Sequence, residues 1–165
     1  IYMNYNGYGS DLHDLHFTPT ELYQLVVNYD DPLDFISDSP EHFDKLETGY
    51  HQDFAVVESL QPLRASTATA VYMLPDQPWA RRVSGVFSND LTNHHPARAH
   101  AVITEKPTGD YLVSVRAPLL NKQGANKLCS QFPSGGGREA AAGINDLPSD
   151  QLDRFIDMFE ESFGT

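Results

Sequence analysis

Residues 133–143 read Pro-Ser-Gly-Gly-Gly-Arg-Glu-Ala-Ala-Ala-Gly, so three consecutive glycines stand directly before a cation. Glycine lacks a Cβ and tolerates positive φ, which lets another group approach the backbone closely. The segment 138–142, Arg-Glu-Ala-Ala-Ala, is favourable helix-forming sequence and places the glycines at a predicted helix N-terminus. Unpaired amide groups at such a terminus bind anions, and the stretch therefore predicts an anion site.

Outward from this stretch, the spacing of apolar residues predicts alternating helices and strands after about residue 60. The predicted elements are a buried strand at 69–74, a helix at 78–91, strands at 99–104 and 111–116 joined by a turn, and helices at 122–132 and 149–163. The last helix carries an apolar stripe. Helices that alternate with a mostly mixed sheet define an α/β (α+β) fold class.

The first part of the chain has helical patterns of its own. Residues 18–21, Thr-Pro-Thr-Glu, have the spacing of a capping box with proline at the first helical position. Residues 39 and 40, Ser-Pro, open a longer pattern in which apolar residues recur at intervals of three and four. We therefore predict a helical connector at residues 1–58 and a second domain at residues 59–165.

The charge is distributed unevenly between these two parts. Of the net charge of −12, residues 1–53 contribute −10, with 11 Asp and Glu against the single Lys45. Residues 64–138 instead carry nine Lys and Arg against four Asp and Glu. An anionic ligand is therefore expected on the second part. The acidity of the whole chain argues against a grip on long duplex nucleic acid and leaves a small phosphorylated ligand or a short oligonucleotide.

The composition is that of a globular protein, with 40% hydrophobic and 21% charged residues in a chain of 165. No apolar run approaches the ~20 residues of a membrane span, and the first residues do not have the order of a secretory signal. The single cysteine, Cys129, has no partner for an internal disulfide and lies in a helical pattern as a small buried residue. We expect a cytoplasmic protein that makes no membrane contact.

Strand alternation places an arginine where it can meet an anion. In the strand at 111–116, Ser114 and Arg116 share one face, while Val113 and Val115 share the other, which is predicted to be core. The guanidinium of Arg116 can present a planar fork to a phosphate or carboxylate beside the glycines. A surface arginine on a half-exposed strand explains the pattern equally well.

Two histidine-containing segments are candidates for metal sites. Residues 11–16, Asp-Leu-His-Asp-Leu-His, offer four potential ligands, but alternation of this kind is more typical of a capping or surface segment. His94 and His95 follow a predicted helix, where histidines favour the negative end of the dipole without binding a metal. We therefore predict no metal ligand and no catalytic residue in this chain.

The glycine stretch and the Ser-x-Arg strand together resemble a known family. Residues 113–116 (Val-Ser-Val-Arg), 132–138 (Phe-Pro-Ser-Gly-Gly-Gly-Arg) and 141–143 (Ala-Ala-Gly) resemble the DHHA1 domain, the C-terminal substrate-binding part of DHH-superfamily phosphoesterases. The family pattern is a Ser-x-Arg strand followed by Gly-Gly-Gly-His-x-x-Ala-Ala-Gly, and the resemblance covers the chain after about residue 60. This sequence departs from the pattern at Arg138, where the family usually has histidine.

The resemblance implies a substrate-binding site and a ligand class. The residues that it places against substrate are Ser114, Arg116, Ser134, Gly135, Gly136, Gly137 and Arg138. Relatives act on very short RNAs, cyclic dinucleotides, phosphorylated nucleotides or polyphosphate, so the expected ligand is a phosphorylated nucleotide or a short oligonucleotide. Arg138 keeps a cation for phosphate but removes a group that titrates near neutral pH.

The resemblance also implies a partner domain. DHH enzymes hold their catalytic metals on aspartates and an Asp-His-His motif of an N-terminal domain, and no Asp-His-His occurs here. We therefore expect a divalent metal, Mn²⁺ or Mg²⁺, on an N-terminal DHH domain of the same protein, no cofactor on this chain, and no activity of this chain alone. A homodimer is compatible with this interpretation.

A different class of function fits the same residues. A non-catalytic module that binds RNA or another protein can retain this fold, as the related module at the end of alanyl-tRNA synthetases does. An N-terminal domain with an Asp-His-His motif would favour the enzyme over this alternative.

Overall fold

The structure is a computed structural model that describes residues 1–164, so Thr165, the last residue of the predicted second domain, lies outside the described residues. The chain forms two compact units. The first comprises Ile1–Ser59 and Gln77–Val83, and the second comprises Leu60–Asp76 and the chain from Ser84 onward.

The first unit is helical. Its helices are α1 (Tyr2–Tyr5), a 3₁₀ turn (Leu12–Asp14), α2 (Pro19–Val26), α3 (Pro32–Asp38), α4 (Pro40–Glu58) and the first residues of α5 (Pro78–His94). The predicted capping box is confirmed, because the Thr18 hydroxyl accepts from the Glu21 amide and the Glu21 carboxylate accepts from the Thr18 amide. The predicted long helix at residue 40 is also confirmed as α4.

The interior of the first unit contains charged side chains in pairs. Arg81 donates to both carboxylate oxygens of Asp14, at 2.8 and 2.7 Å. Arg82 donates to Asp53 at 2.8 Å and to the hydroxyl of Tyr5 at 3.0 Å. Because Asp14 and Asp53 are both buried, these pairs supply the countercharge that a buried carboxylate requires.

The second unit is built on a six-stranded mixed sheet with the order β1-β2-β3-β4-β6-β5. The strands are β1 (Arg64–Ala65), β2 (Thr69–Leu74), β3 (Ala99–Glu105), β4 (Tyr111–Arg116), β5 (Gly135–Gly137) and β6 (Ala141–Leu147). Strands β2 and β3 are parallel, with α5 between them in the chain, and the other neighbours are antiparallel. The predicted α/β class and the three strands predicted before residue 117 are confirmed.

Helices α6 (Ala125–Cys129) and α7 (Leu152–Phe163) supply helical residues to the core on one face of this sheet. The strands contribute Val113 and Val115 to the same core, as strand alternation predicts. The predicted apolar stripe of the last helix is confirmed by the burial of Phe155, Ile156 and Phe159. The predicted helix at 122–132 is shorter than expected, because Gly124 adopts a φ of 97° immediately before α6.

The predicted helix at residues 138–142 is wrong. Strands β5 and β6 form a hairpin, whose closing pair is Arg138 and Ala141, with the Arg138 amide 2.8 Å from the Ala141 carbonyl oxygen. Burial explains the difference, because Ala142, Ile144 and Leu147 point into the core from β6. Pairing of β6 with both β4 and β5 outweighs the helix propensity of three alanines, which is a weak preference.

Candidate functional site

The predicted binding residues lie on three neighbouring strands, β4, β6 and β5. Ser114 is paired with Gly143 of β6, and Gly143 is paired with Gly136 of β5. Two residues along β4, Arg116 is paired with Ala141, which also closes the hairpin with Arg138. Directly paired residues present their side chains on the same face of a sheet. Ser114, Arg116 and Gly136 therefore share one face.

The same pairing fixes the separation of the two predicted cations. Arg116 and Arg138 flank Ala141 on its two sides. Since neighbouring strands lie about 4.8 Å apart, the backbones of the two arginines are about 10 Å apart. Two long cationic side chains at this distance can contact one ligand between them.

The guanidinium of Arg116 is held by protein groups. Its Nε donates to Oδ1 of Asn89 on α5 at 3.0 Å, and its Nη1 donates to the Ser114 hydroxyl at 2.9 Å and to the Val115 carbonyl oxygen at 3.2 Å. The side chain is half-buried. These contacts orient the guanidinium before any ligand arrives, which lowers the entropy that a ligand has to overcome.

The three glycines have different structural reasons to be glycine. A Cβ on Gly135 would overlap the Cys129 carbonyl oxygen, so this position requires close backbone packing. Gly137 has a φ of 141°, and a Cβ there would crowd Ala142. A Cβ on Gly136 would meet nothing within 4 Å. Gly136 therefore leaves open space on the face of the sheet that Ser114 and Arg116 share, and no packing contact of its own requires that space.

The interpretation of the glycines as a helix N-terminus is wrong, because they form the edge strand β5. Ser134, also predicted to bind substrate, has its hydroxyl engaged in the hairpin. It donates to the Asp146 carbonyl oxygen and accepts from the Asp146 amide, both at 2.9 Å. The structure thus brings together Ser114, Arg116 and Gly136, whereas Ser134 is used to hold β5 against β6.

Arg138 stands at the tip of the hairpin, and its side chain is exposed. The guanidinium of Arg138 makes no hydrogen bond or ion pair with any residue between 1 and 164. Its neighbour Glu139 is engaged instead with the start of α6, where the Gly124 amide donates to the Glu139 carboxylate at 3.1 Å and the Ala125 amide donates to its carbonyl oxygen at 3.0 Å. The tip that carries Arg138 is therefore anchored.

A pocket of about 390 Å³ opens beside Arg116, beyond the end of β4. Its lining residues are Asn89, Thr92, Asn93, Arg116, Ala117, Leu119, Lys122, Ala140 and Ala141. Two of them are cations and none is a carboxylate, in a chain with a net charge of −12. The sequence did not predict Asn89, Asn93 or Lys122 as site residues, although Asn89 and Asn93 stand one helical turn apart and so occupy one side of α5.

Two titratable side chains near this region are buried, and burial shifts the pKa of each further from neutral pH. His100 is paired with Arg116 across β3 and β4 and is fully buried, and burial, with Arg98 and His95 nearby, lowers the pKa of its imidazole to about 4. Burial raises the pKa of the Cys129 thiol to about 12. The prediction that Cys129 is a buried residue is confirmed.

Within residues 1–164, no three or more His, Cys, Asp or Glu side chains form a group that could hold a metal ion. In the 11–16 segment, Asp11 caps the 3₁₀ turn and Asp14 pairs with Arg81. None of the helices between residues 1 and 164 has the length and apolar character that a membrane crossing requires.

Comparison with known proteins identifies the fold. No protein-family model matches the chain. No curated protein matches it either. Several solved structures do match the chain. An exopolyphosphatase-related protein from Bacteroides fragilis has a TM-score of 0.52 and 17% identity over 82% of this chain and 43% of that protein. The pGpG-specific phosphodiesterase PggH from Vibrio cholerae has a TM-score of 0.51 and 11% identity over 89% of this chain and 46% of that protein.

A third similar structure is the DHH domain of a member of a family of ribosomal proteins, with a TM-score of 0.55 and 11% identity over 87% of this chain and 36% of that protein. The chain is therefore similar in fold to these three solved proteins, one of which is described as a DHH domain, and the resemblance is confirmed at the level of the fold alone. It spans less than half the length of each of these solved proteins.

Proposed function

We propose that this chain is the substrate-binding part of a metal-dependent DHH-family phosphoesterase, with a DHHA1-type second unit, and that it binds the phosphate of a phosphorylated nucleotide or short oligonucleotide. The observation that carries the proposal is the arrangement of Arg116 and Arg138 on the two sides of Ala141, next to the open space at Gly136. Two of the similar solved proteins are an exopolyphosphatase-related protein and a pGpG-specific phosphodiesterase, which supports a phosphorylated ligand.

The proposed binding follows from the chemistry of the arginines. A guanidinium attracts phosphate oxygens by its charge as well as by its N–H groups, and the charge of Arg116 is held in place because its Nε and Nη1 donate to Asn89 and Ser114. Arg138 approaches the same ligand from the hairpin tip. The missing side chain of Gly136 lets a phosphate lie against the backbone of β5 between these two cations.

The proposed catalytic metals belong to another domain. Residues 1–164 contain no group of three or more His, Cys, Asp or Glu side chains that could hold a metal ion, and the proposal assigns Mn²⁺ or Mg²⁺ to an N-terminal DHH domain. In metal-dependent phosphoester hydrolysis, the metal supplies a hydroxide and stabilises the charge that develops on the phosphoryl group. The role proposed for this chain is to bind and orient the phosphate, not to activate water.

Replacement of Arg138 tests the proposal. Arg138→Ala should weaken binding of a 5′-phosphorylated dinucleotide by about 1.5–3 kcal/mol, the scale of a hydrogen bond between charged groups. Because the side chain is exposed, the free energy of unfolding should change by less than about 1 kcal/mol. Isothermal titration calorimetry at fixed salt measures the affinity, and urea unfolding measures the stability.

Arg64→Ala is the matched control, because Arg64 lies on β1 at the opposite end of the sheet order and pairs with Asp157 and Glu160. It should leave the affinity unchanged. Arg138→His should recover part of the lost affinity below about pH 6.5, where imidazole is charged. Wild type at each pH corrects for protonation of the ligand phosphate itself. Unchanged affinity in Arg138→Ala would remove this residue from the site, and a wild-type protein that binds no dinucleotide would refute the proposed function.

A further inference from the structure

Helix α2 belongs to the first unit and contains no buried residue. Its side chains Leu22, Leu25 and Val26 are half-buried, whereas Tyr23 and the C-cap residue Val27, on another side of the helix, are 64% and 48% exposed. The last two stand one helical turn apart and so share one side of α2. A surface helix of a globular protein usually carries polar residues on the side that faces solvent. Residues 1–164 therefore leave an apolar side of α2 uncovered.

A third exposed apolar residue lies just after the short turn, residues 27–31, that connects α2 to α3. Leu33, in the first turn of α3, is 66% exposed, whereas Phe35 of the same helix is buried. Single exposed apolar residues are common on protein surfaces, but a tyrosine and two aliphatic residues exposed within eleven residues of chain have the composition of an interface centre. We call Tyr23, Val27 and Leu33, with the exposed aspartates next to them in the chain, the α2–α3 face.

The charge of the α2–α3 face is negative. Residues 18–40 contain five Asp and Glu and no Lys, Arg or His. Asp30, Asp34 and Asp38 are exposed, and their side chains make no hydrogen bond or ion pair with any residue between 1 and 164. Asp34 follows Leu33 directly and stands one helical turn before Asp38 on α3. Exposed apolar groups and unpaired carboxylates therefore occur together on this part of the first unit.

The lysine and arginine side chains of the first unit, which are Lys45, Arg81 and Arg82, are engaged elsewhere. The ammonium group of Lys45 lies 4.2 Å from the centroid of the Phe17 ring. Both arginines form the buried ion pairs described above. The countercharge for the aspartates of the α2–α3 face is therefore not supplied by the described residues of this unit.

We propose that the α2–α3 face binds a basic amphipathic helix of another polypeptide. The apolar side of that helix packs on Tyr23, Val27 and Leu33, and its lysines or arginines lie against the three aspartates. Charge complementarity selects this partner, because the face attracts a cation and repels nucleic acid and anionic lipid. A second copy of the chain that docked through the same face would bring like charges together. The proposal concerns the first unit and is independent of the phosphate site proposed above.

The test uses two fluorescent synthetic peptides of about 18 residues, long enough to form a helix. Both carry the same leucine stripe at helical spacing, and their polar positions are lysine in one peptide and glutamate in the other. Fluorescence anisotropy on the intact chain at about 50 mM NaCl should show the lysine peptide bound at least about tenfold more tightly than the glutamate peptide. Its affinity should fall at about 200 mM NaCl, because salt screens the attraction.

Two variants separate the apolar contribution from the charged one. Tyr23→Ser with Leu33→Ser should weaken binding of the lysine peptide about tenfold or more, because it removes the centre of the interface. Asp34→Asn with Asp38→Asn should weaken it about three- to tenfold and make the salt dependence shallower. All four side chains are exposed, so both variants should fold, and circular dichroism and urea unfolding check this.

Each variant has a matched control in the second unit. Leu120→Ser replaces a leucine that is 77% exposed, and Glu105→Gln with Glu161→Gln removes two exposed carboxylates and so changes the net charge by the same amount. Neither control should alter binding of the lysine peptide. An equal loss in the Glu105 and Glu161 variant would mean that the peptide responds only to the net charge of the chain, and would overturn the proposal.

Three other outcomes would overturn it as well. The first is a lysine peptide that binds no more tightly than the glutamate peptide, and the second is unchanged binding in Tyr23→Ser with Leu33→Ser. The third is self-association of wild type, measured by sedimentation velocity, that is lost in the same variant, because the face would then belong to a second copy of the chain. Binding of a phosphorylated dinucleotide should be the same in all of these variants, so the proposed function stands or fails separately.

Discussion

His100 is a fully buried histidine whose two ring nitrogens have no hydrogen-bond partner among the described residues. Burial is the main cause that lowers the pKa of its imidazole from 6.5 to about 4, and the nearby Arg98 and His95 act in the same direction. The ring is therefore neutral near pH 7.

The pKa of His100 predicts a specific dependence of stability on pH. Below about pH 6.5 the unfolded chain takes up a proton that the folded chain excludes until about pH 4, so stability falls as the pH falls through this window. His100→Met should leave the free energy of unfolding at pH 7 within about 1 kcal/mol of wild type or raise it, because the methionine side chain has a volume similar to that of histidine. The variant should also lose less stability than wild type between pH 6.5 and pH 4.

Urea unfolding of both proteins at four pH values across this range checks the prediction. Other titrating groups are common to both proteins, so the difference between the two curves reports His100. Parallel curves would show that His100 does not titrate differently in the folded and unfolded states.

Gly136 differs from its neighbours in having no packing reason to lack a side chain. Gly136→Ala should change the free energy of unfolding by less than about 1 kcal/mol, because the new methyl group meets no atom within 4 Å. It should weaken binding of a 5′-phosphorylated dinucleotide by about tenfold or more, because the methyl group would occupy the space assigned to the phosphate. Calorimetric titration and urea unfolding give the two quantities.

Gly137→Ala is the contrasting variant. Its φ of 141° and the crowding of Ala142 should make it less stable by about 1–3 kcal/mol. Normal dinucleotide binding by Gly136→Ala would show that the open space is not part of the site.

At the scale of elements, sequence patterns predict most of the second unit. The strand at 69–74 and the strand at 111–116 are found with the predicted bounds, because each combines β-branched or aromatic residues with a burial pattern that only a strand explains. The predicted helix at 78–91 continues to His94. These elements are determined by their own residues.

The hairpin of β5 and β6 could not be predicted in the same way. Residues 138–142 favour a helix locally, and the strand appears only because β6 pairs with β4 on one side and β5 on the other. The short helices α1 and α3 were missed because four and seven residues show too little periodicity. In the hairpin, strand pairing and burial outweigh the local helix propensity. The short helices contain too few residues to show a pattern.

The candidate site could likewise be predicted only in part from the sequence. Arg116 and the glycines were identified from their motif, but Asn89, Asn93 and Lys122 come from α5 and from the loop after β4. Only the packing of α5 beside the end of β4 reveals their relation to Arg116, through the Asn89 hydrogen bond. A motif identifies the residues that it contains, and the tertiary structure adds those that complete the pocket.

At the scale of the whole molecule, the site is positive in a negative chain. The chain has a net charge of −12, yet the pocket is lined by Arg116 and Lys122 with no carboxylate, and Arg138 stands at the adjacent hairpin tip. Coulomb energy falls with distance and distant charges are screened over about 10 Å at 0.1 M salt. The local cations should therefore determine how an anionic ligand responds to salt.

This balance predicts the sign of the salt dependence. Binding of a 5′-phosphorylated dinucleotide should weaken as NaCl rises from about 50 to about 200 mM, because salt screens the attraction between the ligand and the partly exposed cations. If the net charge of the chain were decisive, salt would screen a repulsion and binding would strengthen. Titration at four salt concentrations gives the slope of log Kd against log salt.

The slope should become shallower in Arg138→Ala. It should remain unchanged in Arg64→Ala, because Arg64 lies at the other end of the sheet order and its side chain already pairs with two carboxylates. A dinucleotide that binds more tightly at high salt would show that the acidic surface, and not the cations at Ala141, controls the approach of the ligand.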